Sequence, residues 1–174
     1  SIFRSSKGRI VLSCFTSSIP RLQLVIDQAK QYDRVVSFLG RRMGENTETA
    51  EELGFLKVPP GLIIPSKHIR NYPREKVCVV AGGCQGEPMS ALSRLALDDH
   101  KDFKIEEGDT VILSARQIPG NERAIGRMMD HFYKRRAELY YPDGSQPPIH
   151  VSGHASEEEL KLVVSLAKPK YFIP

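Results

Sequence analysis

The stretch Val77-Cys78-Val79-Val80-Ala81-Gly82-Gly83-Cys84-Gln85-Gly86 decides the fold class of this 174-residue chain. Its first half is apolar without interruption, which is typical of a strand buried on both faces of a parallel sheet. Its second half is rich in glycine and predicts a turn, after which residues 88–97 predict a helix with Pro88 at the first position. A strand, a turn and a helix in this order form the repeating unit of an α/β fold.

The same alternation runs along the whole chain. Further strands are predicted at residues 9–15, 34–39, 110–115, 138–141, 149–151 and 171–173. Further helices are predicted after Ser18, over residues 47–53, Ser66–Asn71 and 122–137, and after Ser156, which forms a capping box with Glu159. We therefore predict an α/β fold over residues 1–174, as one domain with a mainly parallel sheet and helices on both faces.

Composition is typical of a globular protein, with 40% hydrophobic and 26% charged residues. No apolar run approaches the ~20 residues that span a bilayer, so no membrane partner is expected. Three cysteines without a CxxC pair favour free thiols in a reducing, cytoplasmic compartment. The net charge of +4 is concentrated in residues 1–44 and 122–136, which favours an anionic partner. Because Ser1 replaces an initiator methionine and the apolar run 171–173 ends the chain, we expect a piece of a larger protein.

The turns that follow strands are the places to search for a ligand site, because ligands of parallel sheets gather at the carboxyl ends of strands. Five such turns are rich in Gly, Ser, Arg or His: residues 16–18, 40–42, 82–86, 116–121 and 152–154. We predict that these turns share one rim of the molecule and bind phosphate.

The segment His150-Val151-Ser152-Gly153-His154 is the densest in polar chemistry. It directly precedes the helix predicted after Ser156, and the free N–H groups at a helix start favour an anion. The segment therefore suggests a phosphate-handling site. The alternative is that one histidine caps local structure while the other is a solvated loop residue.

The turn Gly82-Gly83-Cys84-Gln85-Gly86 admits three interpretations. As a dinucleotide-binding motif it is weak, because Ala81 replaces the first glycine of GxGxxG. As a GxCxG nucleophile elbow it would make Cys84 a nucleophile of lowered pKa, with His150 or His154 as the base of a cysteine hydrolase. In the third interpretation the glycines only let backbone N–H groups approach a phosphate. No metal site is predicted within the chain, because two histidines lack a third ligand.

Taken together, several motifs resemble the β-CASP nucleases of the metallo-β-lactamase superfamily, and ribonuclease J most of all. The matching motifs are GRIV at 8–11, FTSSI at 15–19 with Arg21, GR at 40–41 with Met43, ELG at 52–54, VPPG at 58–61, QGEPM at 85–89, ALSR at 91–94, GDTV at 108–111, IPGN at 118–121, HVSGH at 150–154 and KPKYF at 168–172. The order and spacing hold over nearly the whole chain. Cys84 stands where the family usually has serine, and Arg42 stands where a small polar residue is common.

The resemblance implies a Rossmann-like β-CASP domain that is inserted into a metallo-β-lactamase domain of the same polypeptide, which holds two zinc ions. It implies that His154 acts at the cleaved phosphodiester bond as a general acid. It also implies that RNA phosphate is held by His150, Ser152 and Gly153 together with Ser17, Ser18, Cys84, Gln85 and Gly86. No zinc ligand of that centre lies within this chain.

The expected function is therefore to bind RNA as the β-CASP domain of a zinc-dependent ribonuclease. This chain alone is expected to have no nuclease activity. The resemblance also allows a homo-oligomer of the full-length protein. Two alternatives remain at this point: a stand-alone cysteine hydrolase with Cys84 as nucleophile, and a non-catalytic nucleic-acid-binding module.

Overall fold

The computed structural model describes residues 2–143, 149–151 and 153–173. Their helices and strands alternate in the order α1 Ile2–Ser5, β1 Ile10–Ser13, α2 Ile19–Gln31, β2 Val35–Leu39, α3 Arg41–Glu52, β3 Val77–Ala81, α4 Ala91–Ala96, β4 Thr110–Leu113, α5 Glu122–Lys134, β5 Glu138–Tyr140 and α6 Glu157–Ala167. Two 3-10 helices, Ser66–Asn71 and Arg74–Lys76, precede β3.

The five strands form one sheet in the order β2-β3-β1-β4-β5, and every neighbouring pair is parallel. In the centre of the sheet, Ile10 of β1 lies opposite Cys78 of β3 and Thr110 of β4. Because all strands run the same way, the turns that follow them meet at one edge of the sheet, which we call the carboxyl rim. The α/β fold with a parallel sheet is confirmed.

Helices cover both faces of the sheet, because alternate residues of each strand point to opposite sides. On one face, Ile10 and Leu12 pack in a core with buried residues of α2 and α3. On the other face, Val11 packs in a second core with the first 3-10 helix, α4 and α5. The strands therefore need apolar residues at every position, which explains the uninterrupted apolar run Val77–Ala81.

Two predicted short strands are wrong. Residues 149–151 lie beside the end of β4 without pairing in the sheet, because Ser114 Oγ donates a hydrogen bond to the Ile149 carbonyl at 2.6 Å. This side-chain hydrogen bond takes the place of the backbone hydrogen bonds that would join residues 149–151 to a strand. Residues 171–173 are exposed and irregular, so their apolar sequence does not reflect a strand in the described part of the chain.

Two predicted helix boundaries also need correction. Helix α3 begins at Arg41 rather than at residue 47, because Gly40 adopts φ +105° and turns the chain directly from β2 into the helix. Helix α4 begins at Ala91 rather than near Pro88, because the Ser90 hydroxyl caps it by accepting a hydrogen bond from the Ser93 N–H. In both cases the helix start is set by the residue just before the helix, through its backbone conformation or its side-chain cap. The spacing of apolar residues does not report either of these.

Helix α6 begins with the predicted capping box between Ser156 and Glu159. None of its residues is buried, although Leu160, Val163 and Leu166 are among its apolar side chains. Within the described ranges, no helix is both long and apolar enough to span a bilayer.

Candidate functional site

A cavity of about 970 Å³ opens at the carboxyl rim, where β1 and β4 end. Five of the residues predicted to bind phosphate or act on it line this cavity: Ser17, Ser18, His150, Gly153 and His154. They come from two segments more than 130 residues apart in the chain. The predicted meeting of the 16–18 turn with the HVSGH segment at one rim is therefore confirmed. Ser152 lies outside the described residues.

Arg21 of α2 holds the two sides of the cavity together. Its Nη1 donates a hydrogen bond to the Ser114 carbonyl at 3.0 Å, and its Nη2 donates one to the Val151 carbonyl at 3.0 Å. Ser114 directly follows β4, so one guanidinium joins α2, the end of β4 and the histidine segment. Arg21 belongs to the motif that carries the family resemblance, but only the tertiary structure shows its positioning role.

His150 stands in an electropositive, partly buried environment. Burial lowers the pKa of its imidazole, the Arg21 and Arg116 guanidinium groups lower it further, and a hydrogen bond with the Ser114 main chain opposes them. Its Nδ1 is buried and has no hydrogen-bond partner in the described part of the chain. A lowered pKa keeps this imidazole neutral at pH 7, because the reference value is already about 6.5. The positive charge of this wall therefore comes from arginine.

The cavity also has an apolar wall, formed by Phe15, Ile118, Pro119 and Val151. Phe15 and Ile118 are 36% and 47% exposed, which is unusual for large apolar side chains next to charged ones. Composition alone did not identify this wall, nor the contribution of Arg116. The sequence position of these residues could have identified them, because Phe15, Arg116 and Ile118 all lie in segments that follow strands.

The 82–86 turn packs beneath the cavity instead of lining it. Gln85 is 5% exposed. Its Nε2 donates a hydrogen bond to the Arg116 carbonyl and its Oε1 accepts one from the Ile118 N–H, both at 2.9 Å. Gly86 adopts φ +72°, and a Cβ there would lie 2.8 Å from the Ala124 main chain. The structure thus places Gln85 under the 116–121 loop, which it shapes, and packs Gly86 against the first turn of α5.

Cys84 does not have the properties of an activated nucleophile. Its side chain is 4% exposed, and burial raises the pKa of its thiol to about 11. Helix α4 starts only at Ala91, so the thiol does not lie in the first turn of the helix that follows it, as a nucleophile elbow requires. The prediction of a nucleophile elbow with a lowered pKa is therefore wrong, as is the cysteine hydrolase built on it. As a phosphate ligand, the Cys84 side chain is likewise not among the cavity residues.

Alkylation tests this assignment. Iodoacetamide at pH 6.5 is expected to modify Cys84 of the folded chain more slowly than it modifies glutathione, because burial and a raised pKa remove both access and thiolate. The other thiols, Cys14 and Cys78, are buried with pKa values raised to about 12, so they serve as internal references for protection. Mass mapping after alkylation in guanidinium chloride provides the unprotected control. Rapid and selective labelling of Cys84 in the folded chain would contradict this description.

The described residues do not fit a metal centre. Among residues 2–143, 149–151 and 153–173, no three His, Cys, Asp or Glu side chains stand close enough together to hold a metal ion. The cavity supplies imidazole, hydroxyl and guanidinium groups, which suit an oxyanion better than a cation. We therefore derive no chemical step through a metal at this site.

Comparison with known proteins agrees with this architecture. A family model for the β-CASP domain of ribonuclease J matches residues 7–132. The chain is 39% identical over 173 residues to ribonuclease J of Helicobacter pylori strain J99, covering 99% of this chain and 25% of that protein. It is 43% identical over 167 residues to ribonuclease J of Thermus thermophilus, covering 96% and 29%. It is 38% identical over 170 residues to ribonuclease J2 of Bacillus subtilis strain 168, covering 98% and 30%.

The chain thus spans between a quarter and a third of the length of these relatives. The family model covers well over half of the chain, and the matched residues include β1 through β4 and the 116–121 loop. The parallel sheet, the rim cavity and the sequence match agree, and the chain belongs to the ribonuclease J β-CASP domain family.

Proposed function

We propose that this chain is the RNA-gripping domain of a metal-dependent ribonuclease that cleaves phosphodiester bonds. The observation that carries the proposal is the rim cavity, where two histidines and two arginines surround a space of about 970 Å³. Charged and hydroxyl donors on one wall suit phosphate, while the apolar wall suits the face of a nucleobase. A cavity with both kinds of wall fits a nucleotide unit better than a free inorganic anion.

In this proposal the phosphate is held by Ser17, Ser18, His150, Ser152 and Gly153, with the Arg21 and Arg116 guanidinium groups on the wall of the same cavity. His154 donates a proton to the departing 3′ oxygen, because an imidazole can release a proton near neutral pH. Gln85 acts indirectly, by shaping the 116–121 loop, while Gly86 lets the turn pack against α5 and Cys84 fills space beside Gln85. Holding the phosphate between two segments fixes the scissile bond in line for attack.

We propose further that the remainder of the polypeptide is a metallo-β-lactamase domain that would hold two zinc ions; zinc bound there would supply a water nucleophile of lowered pKa. The exposed apolar side chains of α6 support a covering partner of this kind, because Leu162 and Leu166 are 58% and 74% exposed on a well-capped helix. The enzyme would then work in the cytoplasm, where the three free cysteines of this chain stay reduced. Homo-oligomers of the full-length protein would form through the remainder.

RNA binding by the 174-residue chain tests the proposal. Fluorescence anisotropy with a 3′-labelled single-stranded RNA decamer is expected to show binding that weakens steeply between 50 and 200 mM salt, since each phosphate contact contributes about 0.7 to the slope. Arg116→Ala is expected to weaken binding about 10- to 100-fold, because a hydrogen bond to a charged group contributes about 1.5–3 kcal/mol. The same chain with added zinc is expected to show no RNA turnover.

Arg136→Ala is the matched control, since Arg136 is exposed and ion-paired with Glu107 beside the amino end of β5. An equal loss of RNA affinity in Arg116→Ala and Arg136→Ala would mean that RNA binding depends on net charge and not on the cavity. Zinc-dependent turnover by the chain alone would overturn the assignment of the metal ions to the remainder.

A further inference from the structure

The first turn of α3 carries two arginines in succession, Arg41 and Arg42, and no acidic residue. Positive charge at a helix N-terminus is electrostatically unfavourable, because the helix dipole is positive there. The helix N-cap, Gly40, provides no side-chain hydrogen bond that would compensate. Residues that destabilise the local structure are expected at positions where function requires them.

The two arginines differ in their partners. Arg41 Nε lies 4.0 Å from Glu45 Oε1, one helical turn away, so its charge is partly neutralised. Arg42 is exposed and has no ion-pair partner among the described residues. Its guanidinium is therefore available to an anion in a way that the Arg41 group is not.

Helix α3, which carries Arg42, packs against the turn whose serines line the cavity. Asn46 Nδ2 donates a hydrogen bond to the Thr16 carbonyl at 3.3 Å, which brings α3 against the turn after β1. Ser17 and Ser18 of that same turn line the cavity. Residues four apart share a helix face, so Arg42 lies on the Asn46 face, one turn closer to the carboxyl rim.

We propose that Arg42 binds a second backbone phosphate of the RNA strand whose first phosphate occupies the cavity. The inference rests on the proposed function, since it extends the path of the same strand across the rim from β1 towards β2. The contact is to phosphate and not to a base, because a solvent-exposed guanidinium beside a main-chain turn offers charge without a shaped pocket. It strengthens binding of longer RNA without sequence preference.

Two ligands of different length test the proposal on the 174-residue chain. Arg42→Ala is expected to weaken binding of a single-stranded RNA decamer about three- to tenfold and to reduce the salt slope by about 0.7, the contribution of one phosphate. Binding of a nucleoside monophosphate, which occupies the cavity alone, is expected to stay unchanged. Arg42→Lys is expected to keep most of the decamer affinity, because the charge is retained.

Arg41→Ala is the matched control and is expected to change decamer affinity less than about twofold, because Arg41 is already paired with Glu45. A decamer affinity and slope of Arg42→Ala equal to those of the unsubstituted chain would overturn this inference. An equal loss in Arg41→Ala and Arg42→Ala would overturn it as well, since a general charge effect would then suffice. If instead the unsubstituted chain binds no RNA, or Arg116→Ala has no effect, the proposed function itself fails.

Discussion

Replacing His154 with alanine in the complete polypeptide is expected to lower the rate of RNA cleavage about 10²–10⁴-fold, the usual contribution of a general acid. His154 is exposed on the wall of the rim cavity, next to Gly153 and facing the same space as Ser17 and Ser18. Loss of the imidazole leaves the arginines and hydroxyls in place, so the RNA is still bound. The expected kinetic signature is a lower kcat with little change in KM.

The measurement is single-turnover cleavage of a labelled RNA under metal-saturating conditions, together with RNA affinity. His68→Ala is the matched control, because His68 is an exposed histidine on the first 3-10 helix and does not line the cavity. A substrate with a different leaving group provides a second test of the general-acid role. A substrate whose leaving oxygen needs no proton is expected to be cleaved by His154→Ala nearly as fast as by the parent protein. A kcat within about twofold of the parent value on ordinary RNA would exclude the general-acid role.

Replacing Asp109 with alanine is expected to lower the free energy of unfolding by about 3–5 kcal/mol, the cost of removing one partner of a buried ion pair. Asp109 is fully buried at the amino end of β4. Its Oδ1 accepts hydrogen bonds from Arg9 Nε at 3.0 Å and Arg74 Nη2 at 2.9 Å, and its Oδ2 accepts one from the Glu106 N–H at 3.0 Å. Alanine would leave the Arg9 guanidinium, which is itself largely buried, with only the half-exposed carboxylate of Glu106 as an ion-pair partner.

Thermal unfolding followed by circular dichroism measures this effect, and the expected decrease in Tm is about 6–20 °C for a domain of this size. The control is Glu107→Ala, since Glu107 and its partner Arg136 are 70% and 76% exposed and such pairs contribute little. Asp109 lies at the opposite end of the sheet from the cavity. RNA affinity measured well below Tm is therefore expected to stay unchanged, and a Tm within about 2 °C of the parent chain would contradict the structural role.

Local sequence was sufficient for the fold class and for the rim of the site. The run Val77–Ala81 has no polar residue apart from a buried thiol, and a strand covered on both faces accounts for that pattern. Once the strands were taken as parallel, the turns after them had to meet at one edge, which brought Ser17 and His154 into one prediction. The order of strands did not follow from the same reasoning, because periodicity reports which face is buried and not which strand is the neighbour.

The chemistry of individual side chains depended on tertiary contacts. The glycine-flanked motif around Cys84 suggests an activated thiol, yet packing buries that thiol and raises its pKa to about 11. The family resemblance implies an RNA contact at Gln85, and in the structure both ends of its side-chain amide are hydrogen-bonded to the main chain of Arg116 and Ile118. Short motifs cannot report burial, since burial is set by segments distant in sequence.

By itself, the sequence determined that this chain forms a parallel α/β sheet with two apolar faces, and that its glycine- and serine-bearing turns lie at the carboxyl ends of the strands. Only the tertiary structure decided that Arg21 joins Ser114 to Val151, that Gln85 shapes the 116–121 loop, and that Asn46 holds α3 against the turn after β1. The reason is physical: apolar periodicity and turn chemistry act over a few residues, whereas these contacts join groups between 30 and 130 residues apart.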